Sequence, residues 1–385
     1  MSKPEIIYLD HAAATPMDPR VLTAMQPYFT DNFYNPSSPY SSAVNVRNDY
    51  ESAKQILASC IGAKPGEIII TAGATESINL AFASTHGHVV TANIEHHSVL
   101  ASASARDNTI VSADERGLVS ADMIKSAITP LTQLVSVGLA NNELGTIQPI
   151  RDIAAVIRQE RESRLSRGDS TPIYLHTDAS QGVGQLDVNV ARLGVDMMTL
   201  NAGKIYGPKQ VGLLWAGIHV ALEPQIVGGG QERGIRSGTE NVAGVIGFAK
   251  ALNLASDHRK FESDRLSELR DSLQDALVSA FPDAVISGHK KHRLAGHLHI
   301  SFPGLDAERL VFALENRGVL VATGSACAAN HGTRSHVLTA IGLAPEVADG
   351  SLRITLGHLS TDENITSAGQ IIIEEVNRES ARIAP

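Results

Sequence analysis

The stretch Asn201-Ala202-Gly203-Lys204-Ile205-Tyr206-Gly207-Pro208-Lys209 decides the fold. It follows the apolar run Val195-Asp196-Met197-Met198-Thr199-Leu200, which reads as a buried strand. A lysine just past the end of such a strand stands at the carboxyl edge of a sheet, where open α/β sheets bind ligands. Gly203 lets the backbone turn closely, and Gly207-Pro208 sets the exit. Taken alone, these residues also fit a surface turn with two ordinary lysines.

A second strand end lies upstream, in Ile173-Tyr174-Leu175-His176-Thr177-Asp178-Ala179-Ser180-Gln181. A strand-end lysine and a strand-end aspartate form the pairing that pyridoxal phosphate (PLP) requires. The lysine holds the cofactor covalently. The carboxylate keeps the ring nitrogen protonated, so the ring withdraws electrons.

The flanking sequence alternates between the two periods. Glu67 to Thr71 reads as a strand and Thr75 to Ala83 as a helix; Val89-Val90-Thr91 and Ser98 to Ala105 repeat the pair. Leu134 to Ala140 reads as a strand, Ile153 to Arg161 as a helix, and Val211 to Trp215 as a strand. The alternation predicts a largely parallel sheet covered by helices. Upstream, Ile6 to Leu9 reads as a short strand, and Asp18-Pro19 starts a helix with Asp as N-cap. Val46, Tyr50, Ala53, Leu57 and Cys60 fall on one apolar helix face that ends at Gly62, so Cys60 reads as a small buried hydrophobe. The charged run Arg158 to Arg167 reads as a solvated helix end and loop.

Around residue 257 the pattern changes. Leu266, Leu269, Leu273 and Leu277 mark a long amphipathic helix. Strands at His297 to Phe302, Val319 to Ala322 and Leu352 to Leu356 follow, with helices at Ala307 to Asn316, near Val337 and after Thr361-Asp362. The expected division is a large domain over 12–257 and a smaller α+β domain built from 1–11 plus 258–385.

Composition sets the class. The 385 residues exceed the usual size of one hydrophobic core. At 43% hydrophobic and 19% charged, the chain has the balance of an ordinary soluble protein. The net charge of -9 argues against direct nucleic-acid binding, which wants a basic face. Two cysteines give no disulfide framework, no apolar run approaches a membrane span, and the N-terminus lacks a secretory signal. A reducing cytoplasm is the expected compartment.

The third deciding stretch is Thr323-Gly324-Ser325-Ala326-Cys327-Ala328. Together with Tyr8-Leu9-Asp10, Gly73-Ala74-Thr75-Glu76-Ser77, Asn141-Asn142-Glu143, the Asp178 and Lys204 segments and Arg236-Ser237-Gly238-Thr239, it makes the chain resemble the NifS/IscS-like cysteine desulfurases of the class V aminotransferase family. The resemblance runs from about residue 6 to 375. It implies the PLP-dependent aminotransferase fold (fold type I), an α/β architecture with a large, mostly parallel mixed sheet and a smaller α+β part.

It also implies site roles. Ala74 and Thr75 hold the PLP phosphate at a helix start, with Asn201. His96 stacks on the ring, and His97 is structural. Asn142 bonds the phenolic oxygen or the substrate carboxylate, Gln181 the phenolic oxygen, and Asp178 the ring nitrogen. Thr239 reaches the phosphate of a neighbouring copy, which implies a homodimer. Arg353 grips the substrate carboxylate, and Lys204, Cys327 and His96, whose imidazole can also move protons, do the chemistry. No metal is implied.

The reaction implied is L-cysteine to L-alanine with a persulfide on Cys327. The sulfur is then passed to an acceptor protein for iron–sulfur cluster assembly or tRNA thiolation. Selenocysteine lyase, another PLP β-lyase, and a weakly active sulfur-transfer scaffold are the alternatives. One departure stands out: the family shows Ser-x-His-Lys where this chain has Asn201-Ala202-Gly203-Lys204, so an imidazole near the phosphate is missing. His331 and His336 lie close to Cys327 in sequence and read as ordinary histidines.

Overall fold

The computed structural model describes residues 5–324 and 334–383. The chain opens with β1 (Ile7–Tyr8). Seven strands of the described residues then build one sheet: β2 (Ile68–Thr71), β3 (His88–Ala92), β4 (Asn108–Val111), β5 (Thr132–Ser136), β6 (Tyr174–Asp178), β7 (Met197–Asn201) and β8 (Gly212–Ala216). Their order is β2-β8-β7-β6-β5-β3-β4. Pairing is parallel from β7 through β6, β5 and β3 to β4, and antiparallel only where β8 sits between β7 and β2. Every residue of β2, β3 and β8 is buried, as expected for a sheet covered on both faces. β4, at the edge, was missed by the sequence reading: Asn108–Val111 is half exposed and lacks a continuous apolar run.

The helix Ser41–Ile61 buries Val46, Tyr50, Ala53 and Leu57 in the core of this sheet. It ends at Gly62, whose φ of 71° is left-handed. A side chain at position 62 would also strike Asn189, so only glycine fits. Leu57→Ala would cost about 2–5 kcal/mol, as truncations of fully buried leucines do. Cys60 on this helix is half buried, and burial pushes its thiol pKa up, which suits packing rather than chemistry.

A second, four-stranded antiparallel sheet has the order β12-β13-β10-β9, with β9 (Val285–Ile286), β10 (His297–Ser301), β12 (Ala322–Thr323) and β13 (Ser351–Thr355). β11 (Val319–Leu320) instead pairs with β1 in parallel. The single strand expected over Val319 to Ala322 is therefore two short ones in different sheets. The leucine-rich helix does not begin at the change of pattern either. One helix, Val242–Ala280, spans it, with Val242, Val245 and Phe248 in the first core and Leu266, Leu269, Leu273 and Leu277 in the second.

The charged run needs a correction. Arg164 is only 1% exposed. Its guanidinium donates to the carbonyls of Thr132 (2.9 Å) and Thr129 (3.0 Å) and to Glu160 (2.9 Å). Arg161 binds Asp196 and the carbonyl of Ile173. Both arginines satisfy backbone carbonyls at the ends of core strands, a role that charge density along the chain does not reveal.

Candidate active site

β5, β6 and β7 run parallel, so their carboxyl ends open on one side of the sheet. The segments that leave them, together with the helix starts after β2 and β3, surround a cavity of about 310 Å³. Nine expected site residues meet there: Ala74, Thr75, His96, Asn142, Asp178, Gln181, Asn201, Lys204 and Arg353. Thr239 does not line it, but sits exposed in the segment after Ser237. Cys327 and His331 lie outside the described residues.

Asp178 ends β6, and its Oδ1 accepts from the Ser180 N–H at 2.9 Å. Lys204 closes the turn after β7, and its Nζ donates to the carbonyls of Ala12 and Ala13, each at 2.7 Å. The N-terminal segment thus packs on the lysine. Asn201 caps the same turn, its Oδ1 accepting from the Gly203 N–H at 2.9 Å. That leaves its amide N–H groups to offer a phosphate.

Ala74 and Thr75 open the helix Ala74–Ala83 after Gly73, whose φ of 143° favours glycine. A helix start leaves its first N–H groups without intrahelical partners and carries the positive end of the dipole, which suits an anion. Glu76 steadies this turn by accepting from the Ala72 N–H (2.7 Å) and from Arg236 Nε (3.0 Å).

His96 is the N-cap of the helix His97–Ser104. Its Nδ1 accepts from the Ser98 N–H at 3.1 Å, so a neutral ring carries its proton on Nε2. Burial lowers its pKa, Asp178 pulls it up, and Lys204 and His97 push it down. The net direction favours the neutral ring.

Arg353 comes from β13 and is 3% exposed. Its Nη2 donates to Asp10 Oδ1 at 2.7 Å and its Nη1 to the Asn142 carbonyl at 3.4 Å. Asp10, a motif residue without an expected role, is therefore the arginine's carboxylate partner. Gln181 Nε2 donates to the Ala12 carbonyl at 3.1 Å. Asn141 holds the neighbouring turn, its Oδ1 accepting from the N–H groups of Glu143 and Leu144, each at 2.9 Å.

Four ionisable cavity residues were not anticipated there. His97, expected to be structural, lines the wall with its ring 4.6 Å from that of His336. His336, read as ordinary, also lines the wall and bonds the Glu95 carbonyl at 3.0 Å. Glu95 is buried, with both carboxyl oxygens on the Gly138 N–H at 3.0 and 3.1 Å. Burial lifts its pKa to about 8; the Gly138 bond opposes this and the Asp178 charge adds to it. Glu143 is buried too and accepts from Ser335 Oγ at 2.6 Å. Burial lifts it to about 7, while the Ser335 bond and Arg353 hold it back. The available signal was adjacency: Glu95 precedes His96, and Glu143 follows Asn142.

The donor set fits PLP. A lysine and a carboxylate end adjacent strands, a helix start stands ready for the phosphate, and an imidazole shares the same cavity. Among the described residues no group of three or more His, Cys, Asp or Glu side chains could hold a metal ion. No described helix is long and apolar enough to cross a membrane.

Comparison with known proteins agrees with this geometry. The family model of the aminotransferase class-V family matches residues 7–367. The cysteine desulfurase IscS of Clostridium botulinum is 39% identical over 93% of this chain and 91% of its own length. Among solved structures, a NifS-like protein superposes with a TM-score of 0.88 at 31% identity, covering 97% of this chain and all of its own. SspA, solved in complex with cysteine, gives 0.78 at 34% identity over 91% of this chain and 98% of its own. With lysine, carboxylate, helix start and arginine gathered on one cavity, the chain belongs to the class-V aminotransferase family and, within it, to the NifS/IscS-like cysteine desulfurases.

Proposed function

We propose that this chain is a PLP-dependent cysteine desulfurase that converts L-cysteine to L-alanine and leaves the sulfur as a persulfide on Cys327. The observation that carries the reading is the convergence of Lys204, Asp178 and Arg353 on one cavity sized for a cofactor and a small amino acid. The cysteine-bound relative SspA supports the substrate.

When bound, PLP supplies an electron-withdrawing ring. Lys204 holds it and later takes the substrate Cα proton. Asp178 keeps a proton on the ring nitrogen. Ala74, Thr75 and Asn201 would hold the phosphate, His96 the ring, Gln181 the phenolic oxygen, and Asn142 that oxygen or the substrate carboxylate. Arg353, pinned by Asp10, receives the substrate carboxylate in a charge-assisted pair. The Cys327 thiolate attacks the substrate sulfur: an S–S bond forms, the C–S bond breaks, and the carbon takes up a proton. L-Cysteine and the thiol become L-alanine and the persulfide with no other reactant.

Thr239, exposed beside Arg236, suits a contact with the second copy of a homodimer. The apolar core of Leu9, Leu266 to Leu277 and the second sheet supports a small domain from 1–11 plus 258–385 beside a large one over 12–257, although Val337, Leu338, Ile341 and Ala348 pack on the first core. The sulfur acceptor is an iron–sulfur scaffold or a tRNA-thiolation protein, and the compartment is the cytoplasm.

The test is the Cys327→Ala protein. It should bind PLP and shift its absorbance with L-cysteine, yet release almost no alanine. In the wild type, mass spectrometry after cysteine treatment should find the added sulfur on Cys327 and not on Cys60. Normal alanine release by Cys327→Ala, or persulfide on Cys60, would move the chain to a β-lyase.

A further inference from the structure

Lys204 stands in the wall between two cavities. A second space of about 60 Å³ shares Ala12, Gln181 and Lys204 with the substrate cavity. Its remaining polar lining includes His11, His258, Glu262, His297 and His358, drawn from the N-terminal segment, the long helix, β10 and the segment after β13. A water needs roughly 10–15 Å³ of such space, so the cavity is large enough for several. His258 and His358 are exposed and mark its open end, whereas His11 and His297 are buried at 6% and 3%.

The tautomer of His11 follows from the one hydrogen bond that its ring makes among the described residues. Its Nδ1 lies 3.0 Å from the Thr355 carbonyl oxygen. A carbonyl only accepts, so Nδ1 carries the proton and Nε2 of the neutral ring carries a lone pair. That Nε2 is buried and has no partner among the described residues. Such a group is costly unless something polar reaches it.

The ring cannot turn away. It packs at 4.9 Å on Tyr8 and 6.1 Å on Tyr206, and a side chain at Gly357 would strike both His11 and Tyr206. Tyr206 is itself held at a left-handed φ of 61° and stacks on His358 at 3.8 Å. His11 is also adjacent in sequence to Ala12, whose carbonyl receives the Lys204 ammonium. Burial, the largest influence, lowers the pKa, so the resting ring is neutral with its Nε2 lone pair unprotonated, and it holds an added proton only weakly. The Thr355 bond, Asp10 and Glu262 favour the cation, and His358 opposes it.

We propose that His11 is the proton partner of Lys204, taking up through water in the second cavity the proton that Lys204 sheds and returning it later. One proton leaves the lysine ammonium, water passes one on, and His11 Nε2 binds it; lysine becomes neutral and imidazole cationic, and the reverse step restores both. His11 touches neither substrate nor cofactor in this scheme but acts through Lys204. The proposal rests on Lys204 being the reacting lysine. It gives the second cavity a purpose distinct from substrate binding: proton exchange with solvent past His258 and His358.

The test uses the PLP-loaded enzyme and L-alanine, which has no sulfur to lose, in D2O, with Cα hydrogen exchange followed by NMR. His11→Asn keeps a donor for the Thr355 carbonyl but removes the ring base, and His11→Ala removes both. Both should slow exchange by about 100-fold, within the range for a lost proton-transfer group, with alanine affinity held within about 2-fold. Added imidazole should restore exchange in His11→Ala, because the space opens to solvent. It should not do so in His11→Phe, which fills that space.

In the enzyme before any substrate is added, 15N shifts should show Nε2 of His11 unprotonated. Wild-type exchange rates in His11→Asn and His11→Ala, or a protonated Nε2 in the neutral ring, would overturn the proposal while leaving the desulfurase reading intact. Exchange that persists in Lys204→Ala would overturn the assignment of Lys204, and the relay with it.

Discussion

Replacing Glu95 by glutamine should remove a large, pH-dependent loss of stability. In the folded protein Glu95 is walled in beside Asp178, and its carboxyl is lifted from 4.5 to about 8. The folded state thus prefers the protonated acid, while the unfolded chain ionises near its ordinary value. A raised folded pKa contributes its full stability below about pH 4.5 and loses it as pH rises through about 8. Between pH 5 and 7 the loss approaches about 1.4 kcal/mol per pH unit, or roughly 2–3 kcal/mol, and it tends to about 5 kcal/mol well above pH 8.

Glutamine has the same shape, still accepts from the Gly138 N–H, and cannot ionise. The two proteins should therefore be nearly equal in stability at pH 5. At pH 8 Glu95→Gln should be the more stable by about 3–5 kcal/mol. Urea unfolding at pH 5, 6, 7 and 8, at fixed protein concentration and PLP loading, measures the difference. Glu143, lifted to about 7, adds its own slope to both proteins and cancels in the comparison. Parallel curves for the two proteins across this range would show that Glu95 is ionised in the fold and that the reasoning from its burial is wrong.

Lys204→Ala should lose covalent attachment of PLP, read as the absence of a borohydride-reducible bond; if such a bond remains, Lys209 is the attachment point. Gly203→His should slow PLP loss on dialysis by about 5-fold, the equivalent of one hydrogen bond worth about 1 kcal/mol. A Cβ there would meet only ordinary contacts, 3.4 Å from Asn201 Oδ1 and 3.7 Å from Lys209 Cγ, and the backbone is not left-handed. An unchanged or faster off-rate would mean that another group already does the work of the missing imidazole.

Much of this protein is legible from the chain alone, because local chemistry dictates it. Asp18 before Pro19 caps a helix wherever the helix packs, and Gly62 ends one because only glycine takes its conformation without strain. Period and strand-end polarity place Asp178 and Lys204 at the edge of a sheet without reference to any other segment. The nine expected residues that line the cavity are identifiable on that basis together with motif resemblance.

What tertiary structure alone decided concerns partners distant in sequence. Asp10 neutralises Arg353 only because β13 runs beside the N-terminal segment. Arg164 is buried because its helix crosses the ends of strands whose carbonyls need a donor. Glu95 and Glu143 titrate near neutrality because packing removes the water that would solvate their charge. His11 lines a cavity, with its Nε2 unpartnered among the described residues, because segments far apart in sequence close around it. Periodicity tells which way a side chain leaves its own element; burial, ion pairing and proton affinity depend on what another part of the chain brings to meet it.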